Sequence, residues 1–278
     1  MQRRITWVHG IGNHKAGYSD GWRTNFDRYL KLGKPAYVEV LWETVFDARA
    51  STRGRTRSLA LTAQEKRDEA LVRNEIESLL LARASALGQG VRASATRGSA
   101  RPVSWEDAQK RSGTRGFVTW LLHADEYLGD FTKYLVSRRV RDAVKERFKE
   151  KLRPFAGTAD SVSVISHSWG TVVAYDSLRD LAQEMPGLKV VGLVTLGSPL
   201  WLVRRFLEDT SGNKPRNVRT WLNIHAQGDP IGSWLSKAFQ VDKEYQVPVV
   251  GKKPPHSSYF VAENQAVQKD LVAPVVLA

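Results

Sequence analysis

The segment from residue 161 to residue 176, SVSVISHSWGTVVAYD, joins a short apolar run to a helix-like stretch with almost no loop between them. The apolar run predicts a buried strand, and the residues after Gly170 predict a helix. A chain that changes so abruptly from strand to helix must turn sharply, and Ser168 stands at the apex of that turn. Its small neighbours Ser166 and Gly170 leave room for the turn. The segment therefore favours an α/β fold with a serine hydroxyl at the end of a strand.

Apolar runs and helix-like stretches alternate through much of the chain. Strands separated by helices pair in parallel and bring functional groups to the carboxyl ends of the strands. We therefore predict a mostly parallel sheet with flanking helices. Besides the segment above, the predicted strands are Ile5–His9, Ala36–Trp42, Val190–Leu196, Thr220–His225 and Tyr245–Val250, and the predicted helices are Asn25–Leu32, Gln64–Leu87, Leu200–Leu207 and one after His256.

The alternation is interrupted between residues 48 and 116. The chain has 278 residues, of which 42% are hydrophobic, which is enough for one α/β domain over residues 1–278. Residues 48–116 are first charged and helix-prone and then, over 88–104, rich in Gly, Ser, Arg and Ala, with little to bury. We predict a helical and loop insertion at 48–116.

An apolar series follows this insertion at spacings of three, four or seven residues. It comprises Phe117, Leu121, Leu128, Phe131 and Leu135, and Trp120 lies within it. If the insertion extends to about residue 135 it can reach over the carboxyl ends of the strands as a cap or lid, with Trp120 and Leu121 as candidate substrate contacts. A helix packed in the core has the same amphipathic pattern, so both interpretations stay open.

Positive charge is concentrated in one part of the chain. The net charge is +13, and residues 51–154 hold 22 Lys and Arg against 13 Asp and Glu. This excess predicts either a solvated helical surface or a cap that attracts anionic substrates, with weak association with an anionic membrane surface. No nucleic-acid-binding module accompanies the basic residues, so we expect no nucleic-acid partner.

Several function classes are excluded by what the sequence lacks. It has no cysteine, which excludes disulfides, thiolate metal sites and a cysteine nucleophile. No window approaches the roughly 20 apolar residues of a membrane span, and we expect no signal peptide because the N-terminal residues enter a strand pattern too soon. We therefore expect a cytoplasmic protein.

The six histidines lack the spacing of metal ligands, and His-Gly-Ile-Gly lacks the further glycine of a dinucleotide site. We therefore expect no metal and no cofactor.

Three residues with complementary chemistry follow the predicted strands in the order Ser168, Asp229, His256. This is the order of the catalytic triad in α/β-hydrolases, and Ser166–Gly170 matches their G-x-S-x-G elbow with a serine in place of the first glycine. The chain resembles serine-dependent α/β-hydrolases of the lipase and esterase type. Other matching pieces, in family order over residues 5–260, are Val8-His9-Gly10-Ile11-Gly12, Leu196-Gly197-Ser198-Pro199, Asp229-Pro230 and His256-Ser257-Ser258-Tyr259.

The resemblance implies an α/β-hydrolase fold that begins at the third of the usual eight strands, and thus about six strands. A serine hydroxyl is a poor nucleophile and needs a base, which is the role of His256. Asp229 would orient the imidazole and stabilise its protonated form. The expected activity is hydrolysis of carboxylic esters, of small molecules or of lipids, through an acyl-enzyme.

A triad also needs donors for the oxyanion. The backbone N–H of Trp169, directly after the nucleophile, is one candidate. The second is the N–H of Ile11, with Gly10 or Gly12 as alternatives, and His9 is expected to shape this loop.

Rival assignments remain. Ser166 is a second candidate nucleophile, and Glu208 or Asp209, after the strand that ends at Leu196, is a second candidate acid.

We expect Asp176 to be an exposed or capping carboxylate. His167 and His225 are expected to be hydrogen-bonded in the fold, and His14 and His123 to lie at the surface or in a lid. The same triad would serve an amidase, thioesterase or acyltransferase, and the competing class is a non-catalytic binding protein with this fold.

Overall fold

A computed structural model describes residues 2–10, 12, 14–30, 35–46, 59–87 and 125–278. The strands of this part of the chain are β1 (Arg3–Val8), β2 (Ala36–Val40), β3 (Ser161–His167), β4 (Val190–Leu196), β5 (Val218–Ala226) and β6 (Lys243–Val247). They form one six-stranded sheet in the order β2-β1-β3-β4-β5-β6, and each neighbouring pair is parallel. The predicted parallel sheet of about six strands is confirmed.

Helices flank this sheet, as predicted. The α-helices described are α1 (Asp20–Phe26), α2 (Ala63–Ala86), α3 (Asp125–Val136), α4 (Arg138–Leu152), α5 (Gly170–Glu184), α6 (Leu200–Val203) and α7 (Ala273–Leu277). Short 3-10 segments are Asp27–Tyr29, Trp42–Val45, Arg153–Phe155, Arg204–Phe206 and Pro255–Ser257, and a π-helical segment, Ala266–Val272, leads into α7. None of these described helices is both long and apolar enough to cross a membrane.

The two faces of the sheet are covered by two separate apolar clusters. Adjacent strand residues alternate between them: Trp221 belongs to one cluster and Leu222 to the other. Helices α2 to α5 cover the first face, and α1 and the C-terminal helical segment cover the second. Each large apolar side chain fully buried in this way contributes about 1.5–3 kcal/mol.

Helix α2 belongs to the predicted insertion, and its N-terminus is capped by hydrogen bonds. Thr62 accepts the Glu65 N–H at 3.2 Å, and the Glu65 carboxylate accepts the Thr62 N–H at 2.7 Å, which forms a capping box. Its buried residues Ile76, Leu80 and Ala84 recur every four positions and form one face. Through this face α2 packs against α3 and α6.

A charged seam joins α4 to α5. The Lys145 ammonium lies 3.0 Å from Asp180, and the Lys149 ammonium donates to Glu184 at 2.7 Å. Asp176, expected to be exposed or capping, is instead buried and accepts a hydrogen bond from Tyr134 Oη at 2.7 Å. The prediction is wrong because α3 and α4 cover this side of α5. Burial raises the pKa of Asp176, and Lys145 opposes that shift.

Some predicted boundaries differ from the structure. The first helix begins at Asp20 rather than Asn25, so Gly21 lies inside it. The last strand begins at Lys243 and ends at Val247 because Pro248 has no N–H for the ladder. The stretch 200–207 is a short α-helix followed by a 3-10 turn. The glycine-rich stretch 88–104 lies outside the described residues.

Candidate active site

The turn between β3 and α5 consists of two residues, Ser168 and Trp169. Ser168 has a φ of 54°, and it is the one non-glycine with positive φ among the described residues. That left-handed conformation costs about 1–2 kcal/mol for a residue with a side chain. Gly170 allows the turn to approach β1, since a Cβ there would lie 2.0 Å from the His9 carbonyl oxygen. The backbone thus holds a serine at the apex of a strained turn.

The three predicted triad residues meet at the carboxyl edge of the sheet. His256 Nε2 lies 2.9 Å from Ser168 Oγ, and His256 Nδ1 lies 3.0 Å from both carboxylate oxygens of Asp229. All three residues are buried. A neutral imidazole with its proton on Nδ1 donates to Asp229 and presents the Nε2 lone pair to the serine hydroxyl proton.

The environment of Asp229 keeps its carboxylate charged. Burial by itself raises the pKa of this carboxyl, but His256 and hydrogen bonds outweigh burial, and the pKa lies well below its usual range. Besides His256, the Tyr259 hydroxyl and the Gly232 N–H supply those bonds. Ile231 N–H also donates to Oδ1, at 2.8 Å. An ionised Asp229 is the form that can accept the Nδ1 proton of His256 and stabilise the imidazolium.

Tyr259 also binds the acid, a role that the sequence analysis did not assign. Its hydroxyl donates to Asp229 Oδ2 at 2.6 Å and accepts the Ala226 N–H at 3.0 Å. Burial, and then the charge of Asp229, raise the pKa of Tyr259 well above its usual value, so the phenol stays protonated. Its position three residues after His256, within one helical turn, is the sequence signal that points to it.

The glycine loop after β1 lies against the nucleophile. A Cβ on Gly10 would lie 2.7 Å from Ser168 Cβ, so only glycine permits this approach. Gly12 N–H donates to Glu43 Oε1 at 2.6 Å and is therefore committed elsewhere. The N–H groups of Gly10 and Trp169 have no acceptor within the described part of the chain. Ile11, the other candidate donor, lies outside the described residues.

His9 shapes this loop from inside. Its ring is stacked between His14, at a centroid distance of 4.1 Å, and Trp42, at 5.4 Å. Its Nδ1 lies 2.6 Å from the Gly10 carbonyl, and Trp42 Nε1 donates to the His9 carbonyl at 3.0 Å. Burial, and then the nearby His14, lower the pKa of His9 well below its usual value. The ring is therefore neutral and serves packing.

His9, His14 and Glu43 are also the group with metal-ligand chemistry in the described part of the chain, with ligand atoms within 4.8 Å of one another. The two imidazole planes are nearly parallel, at 27°. Metal ligands direct their in-plane lone pairs at one point, and stacked rings direct them side by side. The three residues fit a hydrogen-bonded cluster better than a metal centre: His14 Nδ1 lies 3.3 Å from Glu43 Oε2.

The other predicted histidines are placed as follows. His167 Nε2 lies 2.7 Å from the backbone carbonyl of His256, and burial, followed by the charge of His256, lowers the pKa of His167 to about 3. His225 is buried, and its ring meets Trp234 edge-on, but its Nδ1 has no hydrogen-bond partner among the described residues, so the bond expected there is not found. His123 lies outside the described residues.

The rival nucleophile and acids are engaged elsewhere. Ser166 is buried, and its Oγ donates to the Val194 carbonyl at 2.9 Å. Glu208 lies 3.4 Å from both Arg141 and Lys145, and Asp209 pairs with Arg179. In the described residues neither of these acids has a hydrogen bond to His256.

The proposed lid contacts Trp120 and Leu121 lie outside the described residues, as does Phe117. Leu128 and Phe131 of the same apolar series are buried, and the ring of Phe131 packs against Trp169 at a centroid distance of 3.8 Å. The described end of the series is thus part of the core beside the nucleophile. For the residues of the series that lie outside the described part of the chain, the lid stays a prediction.

Comparison with known proteins adds little. No protein-family model matches the chain, and no curated protein matches it. A solved structure that aligns with it is the crystal structure of an uncharacterized protein from Pseudomonas aeruginosa, at 10% identity and a TM-score of 0.34. The alignment covers 99% of this chain and 46% of that chain, so this chain spans about half the length of its match. A similarity this low supports no transfer of fold or function.

Proposed function

We propose that this chain is a serine hydrolase with the α/β-hydrolase fold and that it cleaves carboxylic esters. The observation that carries the proposal is the unbroken hydrogen-bonded line from Ser168 Oγ through the His256 ring to the Asp229 carboxylate. The order of these residues along the chain and the strained turn at Ser168 support it. A binding protein with this fold would need neither the line nor the strain.

In the proposed mechanism, Ser168 Oγ attacks the ester carbonyl while His256 Nε2 takes the hydroxyl proton. The oxyanion receives hydrogen bonds from Trp169 N–H and from the glycine loop, where Gly10 N–H is available and Gly12 N–H is not. Each such donor contributes about 2.7–4 kcal/mol to transition-state stabilisation.

The tetrahedral intermediate collapses when His256 passes its proton to the leaving alkoxide, which departs as the alcohol and leaves an acyl-serine. A water molecule then attacks the acyl carbonyl, again with His256 as base, and the acid is released as Ser168 regains its proton. The reaction needs no cofactor. Amide, thioester and acyl-transfer chemistry use the same groups, so a substrate panel must rank them.

The experiment is labelling with a fluorophosphonate probe together with turnover of a short-chain ester. We expect Ser168→Ala to stay folded and to lose both labelling and turnover, by about 10⁴-fold or more in kcat. Ser166→Ala is the matched control. It should keep both labelling and turnover because the Ser166 hydroxyl links β3 to β4 through the Val194 carbonyl. Labelling retained in Ser168→Ala would contradict the proposal.

A further inference from the structure

The loop that carries the acid, residues 229–232, is held from outside by two side chains that are not part of the triad. We call it the acid loop. Trp201 Nε1 donates to the Ile231 carbonyl at 2.7 Å, and Arg83 Nη2 donates to the Gly232 carbonyl at 2.7 Å. Arg83 belongs to α2 of the insertion, and Trp201 belongs to α6. The guanidinium lies over the Trp201 ring, 5.0 Å from its centroid.

The inner side of the same loop binds the catalytic carboxylate. Ile231 N–H donates to Asp229 Oδ1, and Gly232 N–H also stabilises the Asp229 carboxylate. The Ile231 carbonyl and the Gly232 N–H belong to one peptide group. Trp201 and Asp229 therefore bind opposite ends of one amide, and hydrogen bonds in such a chain polarise and strengthen one another.

Arg83 differs from Arg73, on the same helix, in the kind of group that it binds. Within the described ranges it has no ion pair with an acidic side chain, whereas Arg73 on the same helix pairs with Glu77 at 3.0 Å. Burial lowers the pKa of Arg83, and Asp229 is the acid that opposes this shift. A guanidinium that is partly buried without a partner acid costs desolvation energy, and its hydrogen bonds to the acid loop offset that cost.

We propose that Arg83 and Trp201 are positioning residues for the catalytic acid. They fix the acid loop so that Asp229 faces His256 Nδ1, and through Arg83 the insertion helix α2 becomes part of the support of the triad. This inference rests on the proposed function and deepens it, because it gives the insertion a role in the rate of the reaction besides any contact with substrate.

The test is a double-mutant cycle. Arg83→Met removes the donor and the charge, and Trp201→Phe removes the indole N–H but keeps a ring. In the wild-type background we expect each to lower kcat about tenfold, with KM changed by less than about twofold, because each removes a bond that orients Asp229. In the Asp229→Asn background the same substitutions should change kcat by less than about twofold, since the group they position is already disabled.

Arg67→Met is the matched control. Arg67 lies on the exposed side of α2, where it donates to Gln64 at 2.6 Å, and its loss should leave kcat unchanged in both backgrounds. Equal losses for Arg83→Met in the two backgrounds would overturn the proposal, because a general loss of stability acts regardless of Asp229.

A second measurement does not require turnover. The proton between His256 Nδ1 and Asp229 gives a low-field proton NMR signal that is identified by its loss in His256→Ala. We expect Arg83→Met and Trp201→Phe to shift this signal and Arg67→Met to leave it in place. An unmoved signal would overturn the positioning role. Absence of ester turnover and of labelling in the wild type would instead contradict the proposed function.

Discussion

The turn that carries Ser168 and the loop that carries Asp229 hold their catalytic groups in different ways. The turn is held by close van der Waals contact: Ser168 takes a positive φ, and Gly170 and Gly10 let the backbone of β1 and its loop pass against it. The acid loop is held by hydrogen bonds from distant side chains. Arg83 is 149 positions from Gly232, and Tyr259 is 30 positions from Asp229.

The difference sets what each region can tolerate. A turn fixed by close contact fails when a single methyl group is added, because packed backbone atoms cannot move apart cheaply. A loop fixed by several hydrogen bonds loses them one at a time, and each loss shifts the orientation of Asp229 without removing it. We therefore expect substitutions that add atoms at the tight contacts of the turn to affect folding, and substitutions that remove hydrogen bonds around the acid loop to affect the rate.

The largest effect on stability should follow Gly170→Ala. The added Cβ would lie 2.0 Å from the His9 carbonyl oxygen, so β1 or the turn must shift. We expect the free energy of unfolding to fall by about 3 kcal/mol. Gly21→Ala is the control, since a Cβ there meets no atom within 4 Å in helix α1 and should stabilise the protein by about 0.5–1 kcal/mol. Chemical denaturation measures both, and similar small changes would refute the steric account of the turn.

A smaller effect, on rate, should follow Tyr259→Phe. The change removes a 2.6 Å hydrogen bond to Asp229 and leaves the Ala226 N–H without its acceptor. We expect kcat to fall about tenfold and stability by about 1 kcal/mol. Tyr175→Phe is the matched control: it removes a tyrosine hydroxyl that donates to the Asn213 carbonyl at 2.9 Å instead of to the acid, and it should lower stability alone. Equal rates in the two variants would mean that Tyr259 does not act on Asp229.

The same contrast explains what the sequence allowed us to predict. The strand, turn and helix around Ser168 were predictable because a periodic run and the small residues flanking it encode them within a few positions. The parallel sheet followed from the alternation of strands and helices. Arg83 and Trp201 gave no local signal, since their role depends on the packing of α2 and α6 over the acid loop. Asp176 was misplaced for a related reason: nothing in its own helix shows that α4 covers it.

The smallest effect concerns His167, which binds the backbone carbonyl of His256 from the end of β3. Burial lowers the pKa of His167 to about 3 in the folded state, against about 6.5 when unfolded. At pH values between these two, the unfolded chain binds a proton that the folded protein does not, so stability falls as the pH falls. This one group should lower the free energy of unfolding by about 1 kcal/mol between pH 7.5 and pH 5.5.

His167→Gln isolates that contribution, because the glutamine amide can still donate to the His256 carbonyl but does not titrate. We expect the variant to be less stable than the wild type at pH 7.5. The difference between their free energies of unfolding, which we call the gap, should narrow by about 1 kcal/mol at pH 5.5. Asp229 also loses stabilising charge on acidification, but only below its ordinary pKa, so it does not contribute in this range. A gap that stays constant between the two pH values would show that His167 is not held neutral by the fold.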